Sequence, residues 1–478
     1  MANEAIAPPP LSRLRERNPL VLNLTNAVVT NFTANALLSL GASPLMAGAP
    51  EEIEDLVAIA GAVVLNIGTL DGPQLHAMEI AAKRAAALGR PLVLDPVGVG
   101  ATPFRRRSVE RLLTTGAVRV LRGNASEILA LGGETSRAKG VDSGDAVADA
   151  VRAARRLSDA YRCVVAVSGP VDQVVSGSRR ARLRGGDPLM TKVTGLGCSA
   201  SALVGAFLGA GLDPFGAGVA ALEVNSVAGS IAAAGAAGPG RFAPLYLDAL
   251  HALSAETLAA RGTPDLGLYL VFDAATDSPH GPERLFDAAA DAGARVVQIR
   301  GKALDDEALL ALTKLAVASL RPRGVRVLVN DRVEVARRAE ADGVHLGAGD
   351  EAWTSARQRL GARALIGVSV ESLDEARALE EADIDYLGVS AIFPTPTKGD
   401  LRTLWGLEGL RRLRAESSHR LVAIGGLDES NAFEVARSGA DGLAFVSAFA
   451  RAPDPRSKGE NLRRLIVRGF ASRNGGVA

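Results

Sequence analysis

Residues 262–273 read GTPDLGLYLVFD, and this stretch decides the organisation of the chain. Before it runs a helical stretch from Leu245 to Ala260, with His251 and Glu256 on its polar side. Gly262-Thr263-Pro264-Asp265 breaks that helix, and the apolar, aromatic run after it starts a strand. The 478 residues therefore divide into domains of 1–262 and 263–478, each within the size that one hydrophobic core supports.

Downstream of the break the pattern is regular. Short apolar, β-branched runs at 266–273, 295–300, 325–331, 343–347, 365–370, 386–393, 421–425 and 442–447 alternate with amphipathic helical stretches. Eight βα units in that length predict a (β/α)₈ TIM barrel. Upstream, AVVLNIG (62–68), PLVLDPVG (91–98), VRVLRGN (118–124) and VVAVSGP (164–170) read as buried parallel strands, followed by a hairpin-like piece at 171–186. An α/β domain with an open, doubly wound sheet is expected there, its site at the strand C-termini.

Composition narrows the function classes. A formal net charge of +1 and only 4% aromatic residues give no reason to expect nucleic acid or an anionic membrane as partner. Cys163 and Cys198 are the two cysteines, too few for a disulfide framework or a multi-cysteine zinc site, and they suit a reducing cytoplasm. The N-terminal MANEAIAPPP has neither the basic nor the apolar region of a signal peptide. The Ala/Gly-rich stretches 198–212 and 215–238 read as buried core helices. The first is too short to span a bilayer, and Glu223 and Asn225 interrupt the second.

The chemistry of the first domain centres on MTKVTGLGCSASA (190–202). Small residues at 194–197 precede a helix, so backbone N–H groups can converge on the charge of a transferring phosphoryl group. Asp95 and Glu127 follow predicted strands. They can organise Mg²⁺ through water, or cap the helices that follow.

The motifs TNAVVTNFTANALLSLGASPLMAGAPEE (25–52), LDPVGVGATPFR (94–105), RGNASEI (122–128) and MTKVTGLGCSASALVGAF (190–207) closely resemble the hydroxyethylthiazole kinases, of ribokinase-like fold, over nearly all of residues 10–260. The resemblance implies ATP as phosphoryl donor, with Arg122 and Ser168 at ATP and Asn26, Met46 and Gly195 at the thiazole. It also implies a homo-oligomer through this domain, a trimer with sites at subunit interfaces. Cys198 stands where related sugar kinases carry an Asp base. Either its thiolate takes the proton, if the helix N-terminus lowers its pKa, or it is a small packed residue beside a loop that positions the groups. Cys163, inside a predicted strand, reads as core.

In the barrel, polar residues collect at strand ends. Arg300 and Lys302 alternate on one strand and can bind a diphosphate. Asp331 and Asp350 supply hard oxygen ligands for Mg²⁺. Gly426, Val446 and Ser447 follow strands seven and eight, where such barrels hold a phosphate. The motifs QIRGK (298–302), VNDRVEVA (329–336), YLGVSAIFPTPTK (386–398) and GADGLAFVSA (439–448) resemble thiamine-phosphate synthase over about 264–455. That resemblance implies that Gln298, Ile299, Arg300, Gly301, Lys302, Asn330 and Ser369 bind a pyrimidine diphosphate. Thr395, Pro396, Thr397, Lys398, Gly426, Val446 and Ser447 would bind the thiazole phosphate, with Lys302 and Lys398 taking part in catalysis. Departures are Gly301 for an acidic residue, Ala348-Gly349 for Gln-Glu, and Glu371 for a His. His345 reads as a satisfied structural histidine.

Loss of diphosphate from the pyrimidine leaves a delocalised cation, which the neutral thiazole nitrogen attacks without a general base, so positioning and charge stabilisation dominate. The kinase product is the nucleophile that the synthase consumes. A bifunctional enzyme of small-molecule substrates is therefore expected, with Mg²⁺ in both domains. A phosphosugar isomerase barrel would account for the phosphate site but not for Asp331 with Asp350. A degenerate binding module would not account for the full ligand sets.

Overall fold

The computed structural model describes residues 9–133, 144–177, 179–395 and 403–473. It divides into two compact units, Met1–Leu258 and Ala259–Ala478. The run read as one helix from Leu245 to Ala260 is two helices, Pro239–Ala252 and Ala255–Arg261. Leu253 leaves helical geometry at ψ 136°, and Ser254 Oγ accepts from Thr257 N at 3.1 Å to start the second helix.

The first unit is built on one sheet. Its strands are β1 (Leu20–Leu24), β2 (Ser43–Met46), β3 (Ala62–Asn66), β4 (Leu92–Asp95), β5 (Val118–Asn124), β6 (Val164–Ser168), β7 (Val171–Ser176) and β8 (Arg179–Arg184). Their order is β2-β1-β3-β4-β5-β6-β7-β8. β2 through β6 pair in parallel, and β7 and β8 add an antiparallel hairpin. The two strands that the sequence did not disclose are β1 and β2. Polar Asn23 interrupts β1, and Pro44 interrupts β2. Because β2 is the edge strand, the missing N–H of Pro44 is tolerated there.

Helices cover both faces, which is why the central strands are continuously apolar. Along β3, Ala62 and Val64 face one core while Val63 and Leu65 face the other. Leu196–Gly209 and Pro214–Gly235 lie on the first face, and Gly72–Leu88 and Pro103–Leu113 on the second. Among the described residues, Pro214–Gly235 is the one helix long and apolar enough to cross a membrane, and most of it is buried inside the unit. Gly205 brings the helix Leu196–Gly209 hard against the sheet, where a Cβ would lie 2.6 Å from Val64 Cγ2. That close approach sets the start of the helix beside the strand ends.

The second unit is a closed barrel of parallel strands. They are β9 (Leu268–Asp273), β10 (Val296–Arg300), β11 (Arg326–Asn330), β12 (Gly343–Leu346), β13 (Leu365–Val370), β14 (Tyr386–Ser390), β15 (Arg420–Ile424) and β16 (Gly442–Phe445). The ring closes through Leu443↔Leu268. Alternation sorts the side chains: Tyr269, Val271, Val296, Leu328, Tyr386, Val422 and Ala444 fill the barrel, while Leu270, Val297, Ile299, Val327 and Val329 pack outward in the core that the helices cover. The strand read to 393 ends at Ser390.

Candidate active sites

In the first unit the parallel register sets Asn66 beside Asp95 and Asn124 beside Ser168. Asp95 is completely buried. Asn66 Nδ2 and Ser201 Oγ donate to its Oδ2 at 2.9 and 2.7 Å, and Arg122 Nη1 stands 4.0 Å from the same oxygen. Burial pushes its pKa up to about 7, against the pull of Arg122. Arg122 Nη2 donates to Ser168 Oγ at 2.6 Å, so the two residues expected at ATP touch. A Cβ at Gly197 would lie 3.0 Å from Arg122 Nη1, so that glycine lets the guanidinium reach the helix start.

The thiazole-side residues join the same cluster. Asn26 Nδ2 donates to Asn66 Oδ1 at 2.8 Å and to Cys198 Sγ at 3.6 Å. Gly195, with φ 99°, is the N-cap of the helix Leu196–Gly209 and packs close to Phe32 and Val29. Met46 ends β2 opposite Asn23 and stands apart from this network. Cys163 is buried core. At Cys198 the surroundings oppose a thiolate. Burial, then the charge of Asp95, pushes the thiol above its ordinary pKa, although Asn66, Arg122 and Asn26 pull the other way.

Glu127 takes the capping arrangement. Its Oε2 accepts from Asn124 N at 2.8 Å and its Oε1 from Gly98 N at 3.1 Å, while Asn124 Oδ1 accepts from Glu127 N. Each oxygen thus accepts one backbone hydrogen bond and keeps a second lone pair, so the capping role is observed and contact with a metal-bound water is still open to Glu127. Asp95 does not cap a helix, and its buried Oδ1 has no partner, so it is the less committed carboxylate of the pair. Asn66 and Ser201 were not singled out from the sequence. The signal for Ser201 was its position three residues after Cys198, on the same helix face.

In the second unit, a cavity of about 850 Å³ opens at the strand C-termini. Gln298, Arg300 and Lys302 line it, as do Asn330, Asp331, Asp350, Ser369, Thr395, Gly426, Val446 and Ser447. The pleat separates these from two neighbours expected with them. Ile299 turns into the outer core, and Gly301 packs on Leu304 and Leu309, so neither lines the cavity. A Cβ at 301 would come 2.9 Å from Leu304 Cδ1, which explains how glycine suits this position. Pro396, Thr397 and Lys398 lie outside the described residues. The departures at Ala348, Gly349 and Glu371 all line the cavity.

Asp331, at φ 66°, and Asp350 share one corner. Burial and then the nearby Asp350 push the Asp331 carboxyl up to about 6, while Lys302 and Arg300 hold it down. Two carboxylates so close are a poor pair alone and a good pair around a divalent cation. Among the described residues no three His, Cys, Asp or Glu side chains converge as a metal site. The donor set therefore fits Mg²⁺ that takes its remaining ligands from substrate phosphate and water.

Asp273 is a site residue that was not assigned from sequence, although it closes the opening strand run. It pairs with Arg300, accepts from Ala275 N at 3.0 Å and lines the cavity. His345 has both ring nitrogens engaged, by Tyr386 Oη at 3.0 Å and Ser369 Oγ at 2.9 Å.

Comparison with known proteins gives two family matches: the hydroxyethylthiazole kinase family over residues 11–256 and thiamine monophosphate synthase over 268–449. A thiamine biosynthesis bifunctional protein ThiM/ThiE of Symbiobacterium thermophilum is 40% identical over 93% of this chain and 95% of its own length. A hydroxyethylthiazole kinase of Leptospira biflexa is 49% identical over 52% of this chain and 93% of its own. Among solved structures, a hydroxyethylthiazole kinase protein of Pyrococcus horikoshii OT3 superposes with a TM-score of 0.50 at 42% identity, covering 53% of this chain and 96% of that one.

Proposed function

The chain belongs to the bifunctional ThiM/ThiE family of thiamine biosynthesis, and we propose that its two sites carry out successive steps on the same thiazole. The first unit is the hydroxyethylthiazole kinase and the second the thiamine-phosphate synthase. In the kinase, Arg122 and Ser168 hold ATP, Asn26, Met46 and Gly195 hold the thiazole alcohol, and the N–H groups of Gly195, Leu196 and Gly197 receive the moving phosphoryl charge. Asp95, with its unpartnered Oδ1, is the acidic group of this site.

In the barrel, Arg300 and Lys302 bind the pyrimidine diphosphate, and Gln298, Asn330 and Ser369 orient its ring. Asp331 and Asp350 would hold Mg²⁺, and a cation bound there would supply charge to offset a diphosphate leaving group. Thr395, Gly426, Val446 and Ser447 hold the thiazole phosphate with its ring nitrogen facing the pyrimidine methylene. Asp273, which also lines the cavity, pairs with Arg300. The observation that carries the reading is a cationic, carboxylate-bearing end and a separate backbone-rich end in one cavity, as needed to join two phosphorylated molecules.

The oligomer is part of the same proposal. Val28 and Leu38, 68% and 58% exposed, present apolar surface on the segment that follows Asn26, which suits a trimer with sites at subunit interfaces. Two free cysteines suit the cytoplasm. Purified protein given thiazole alcohol, ATP, pyrimidine diphosphate and Mg²⁺ should form thiamine phosphate. Accumulation of thiazole phosphate without thiamine phosphate would overturn the synthase assignment.

A further inference from the structure

The arginine and lysine side chains that line the barrel cavity are Arg300, Lys302, Arg451 and Lys458. Arg300 is paired with Asp273, and Lys458 with Glu429. Lys302 and Arg451 have no carboxylate within ion-pair distance among the described residues. Lys302 belongs to the diphosphate end. Arg451 stands at the other end: its N donates to Ser447 O at 3.0 Å, which puts it one helical turn beyond Ser447. The carboxylate that lines the cavity there, Asp428, accepts from Ser430 N at 2.8 Å and from Ser430 Oγ, not from Arg451.

The Arg451 side chain is exposed, yet it is held. Its Nε donates to Asp277 O at 3.1 Å. On either side of it, Ser278 Oγ donates to Ala450 O at 2.7 Å, and His280 Nε2 lies 2.8 Å from Ala452 O. The loop after β9 is therefore laced along residues 450–452, with Arg451 fixed in the middle. Among the described residues its guanidinium makes no other hydrogen bond or ion pair, so the donors on Nη1 and Nη2 remain for a ligand. Ordering the side chain beforehand removes part of the entropy cost of binding.

We infer that Arg451, acting in the synthase reading above, supplies the counter-charge for the phosphate of the thiazole. Backbone groups at Gly426, Val446 and Ser447 offer hydrogen bonds but no net charge, and Lys458 is already paired. A phosphate monoester at neutral pH carries more than one negative charge. The planar guanidinium can meet it with two parallel N–H bonds. The thiazole alcohol presents no anion to Arg451, so this contact makes the barrel prefer the phosphorylated form and puts the kinase step first. Arg451 is a binding residue and takes no part in the bond that forms.

Steady-state kinetics on the full chain test this, with thiazole phosphate, pyrimidine diphosphate and Mg²⁺ supplied and ATP withheld so that the kinase is silent. Arg451→Gln should raise the KM for thiazole phosphate at least about 5-fold, the scale of one charged contact at an exposed site. The kcat and the KM for pyrimidine diphosphate should stay within about 2-fold, since neither depends on that contact. Added salt should raise the KM for thiazole phosphate more steeply in unaltered protein than in Arg451→Gln, because salt screens a charge contact. A side chain that only ties down the loop would raise both KM values and leave the salt dependence as it is. That result overturns the inference, as does an unchanged KM for thiazole phosphate in the folded variant. Absence of thiamine phosphate in unaltered protein strikes at the synthase reading instead. Calorimetric titration with thiazole phosphate, compared between unaltered protein and Arg451→Gln, then still decides the role of Arg451.

Discussion

Asn26 donates to Cys198 Sγ at 3.6 Å, yet the thiol it contacts is held above its ordinary pKa by burial and by Asp95. Asn26 and Cys198 therefore meet as amide and neutral thiol at neutral pH. Cys198→Ala should keep the kinase kcat within about 10-fold, because the N–H donors of the helix start remain. Steady-state phosphorylation of the thiazole alcohol measures this. A fall of about 10²-fold or more, the scale of a lost general base, would restore the thiolate.

The carboxylate pair of the barrel predicts a separation of activities. Asp331 sits at φ 66°, a conformation that Asn tolerates and Ala does not, so Asp331→Asn is the informative change. It should lower thiamine phosphate formation by at least about 10²-fold while thiazole phosphorylation continues. Loss of both activities in a folded variant would contradict two independent sites.

Asp95 makes a prediction about stability and pH. Its folded pKa of about 7 lies above its ordinary value of 3.8 because burial opposes the charge. Between these values the folded state holds a proton that the unfolded state has lost, so rising pH costs stability. Asp95→Asn should remove that cost. The variant's Tm relative to the unaltered protein, without metal or nucleotide, should climb from about pH 4 to pH 7 and then level off. A difference independent of pH would show that Asp95 is ionised throughout.

Gly367 tests how tightly the barrel floor is packed. A Cβ there would fall 2.0 Å from Tyr386 Cζ. Gly367→Ala should destabilise the barrel by about 1–3 kcal/mol through overpacking and weaken the synthase by displacing Tyr386. Thermal melting and the two activity assays would register both effects. Full synthase activity would mean that the Tyr386 ring moves without consequence.

The sequence by itself determined the division into two α/β parts, the eight-fold barrel and most of the lining of its cavity. Each rests on local pattern: the break at Gly262-Thr263-Pro264-Asp265, the alternation of apolar runs with amphipathic stretches, and polar residues at strand ends. It did not disclose β1 and β2, because Asn23 and Pro44 interrupt runs that only pairing with neighbouring strands makes into a sheet. The tertiary structure decided the rest, because which strand face turns inward and which distant residues meet depend on packing. Pleat direction put Arg300 in the cavity and Ile299 in the core. Burial beside Asp95 raised the Cys198 thiol that a helix start alone would have lowered. The bond from Tyr269 to Tyr386 exists because the sheet curls into a barrel and brings β14 across from β9, strands distant in sequence.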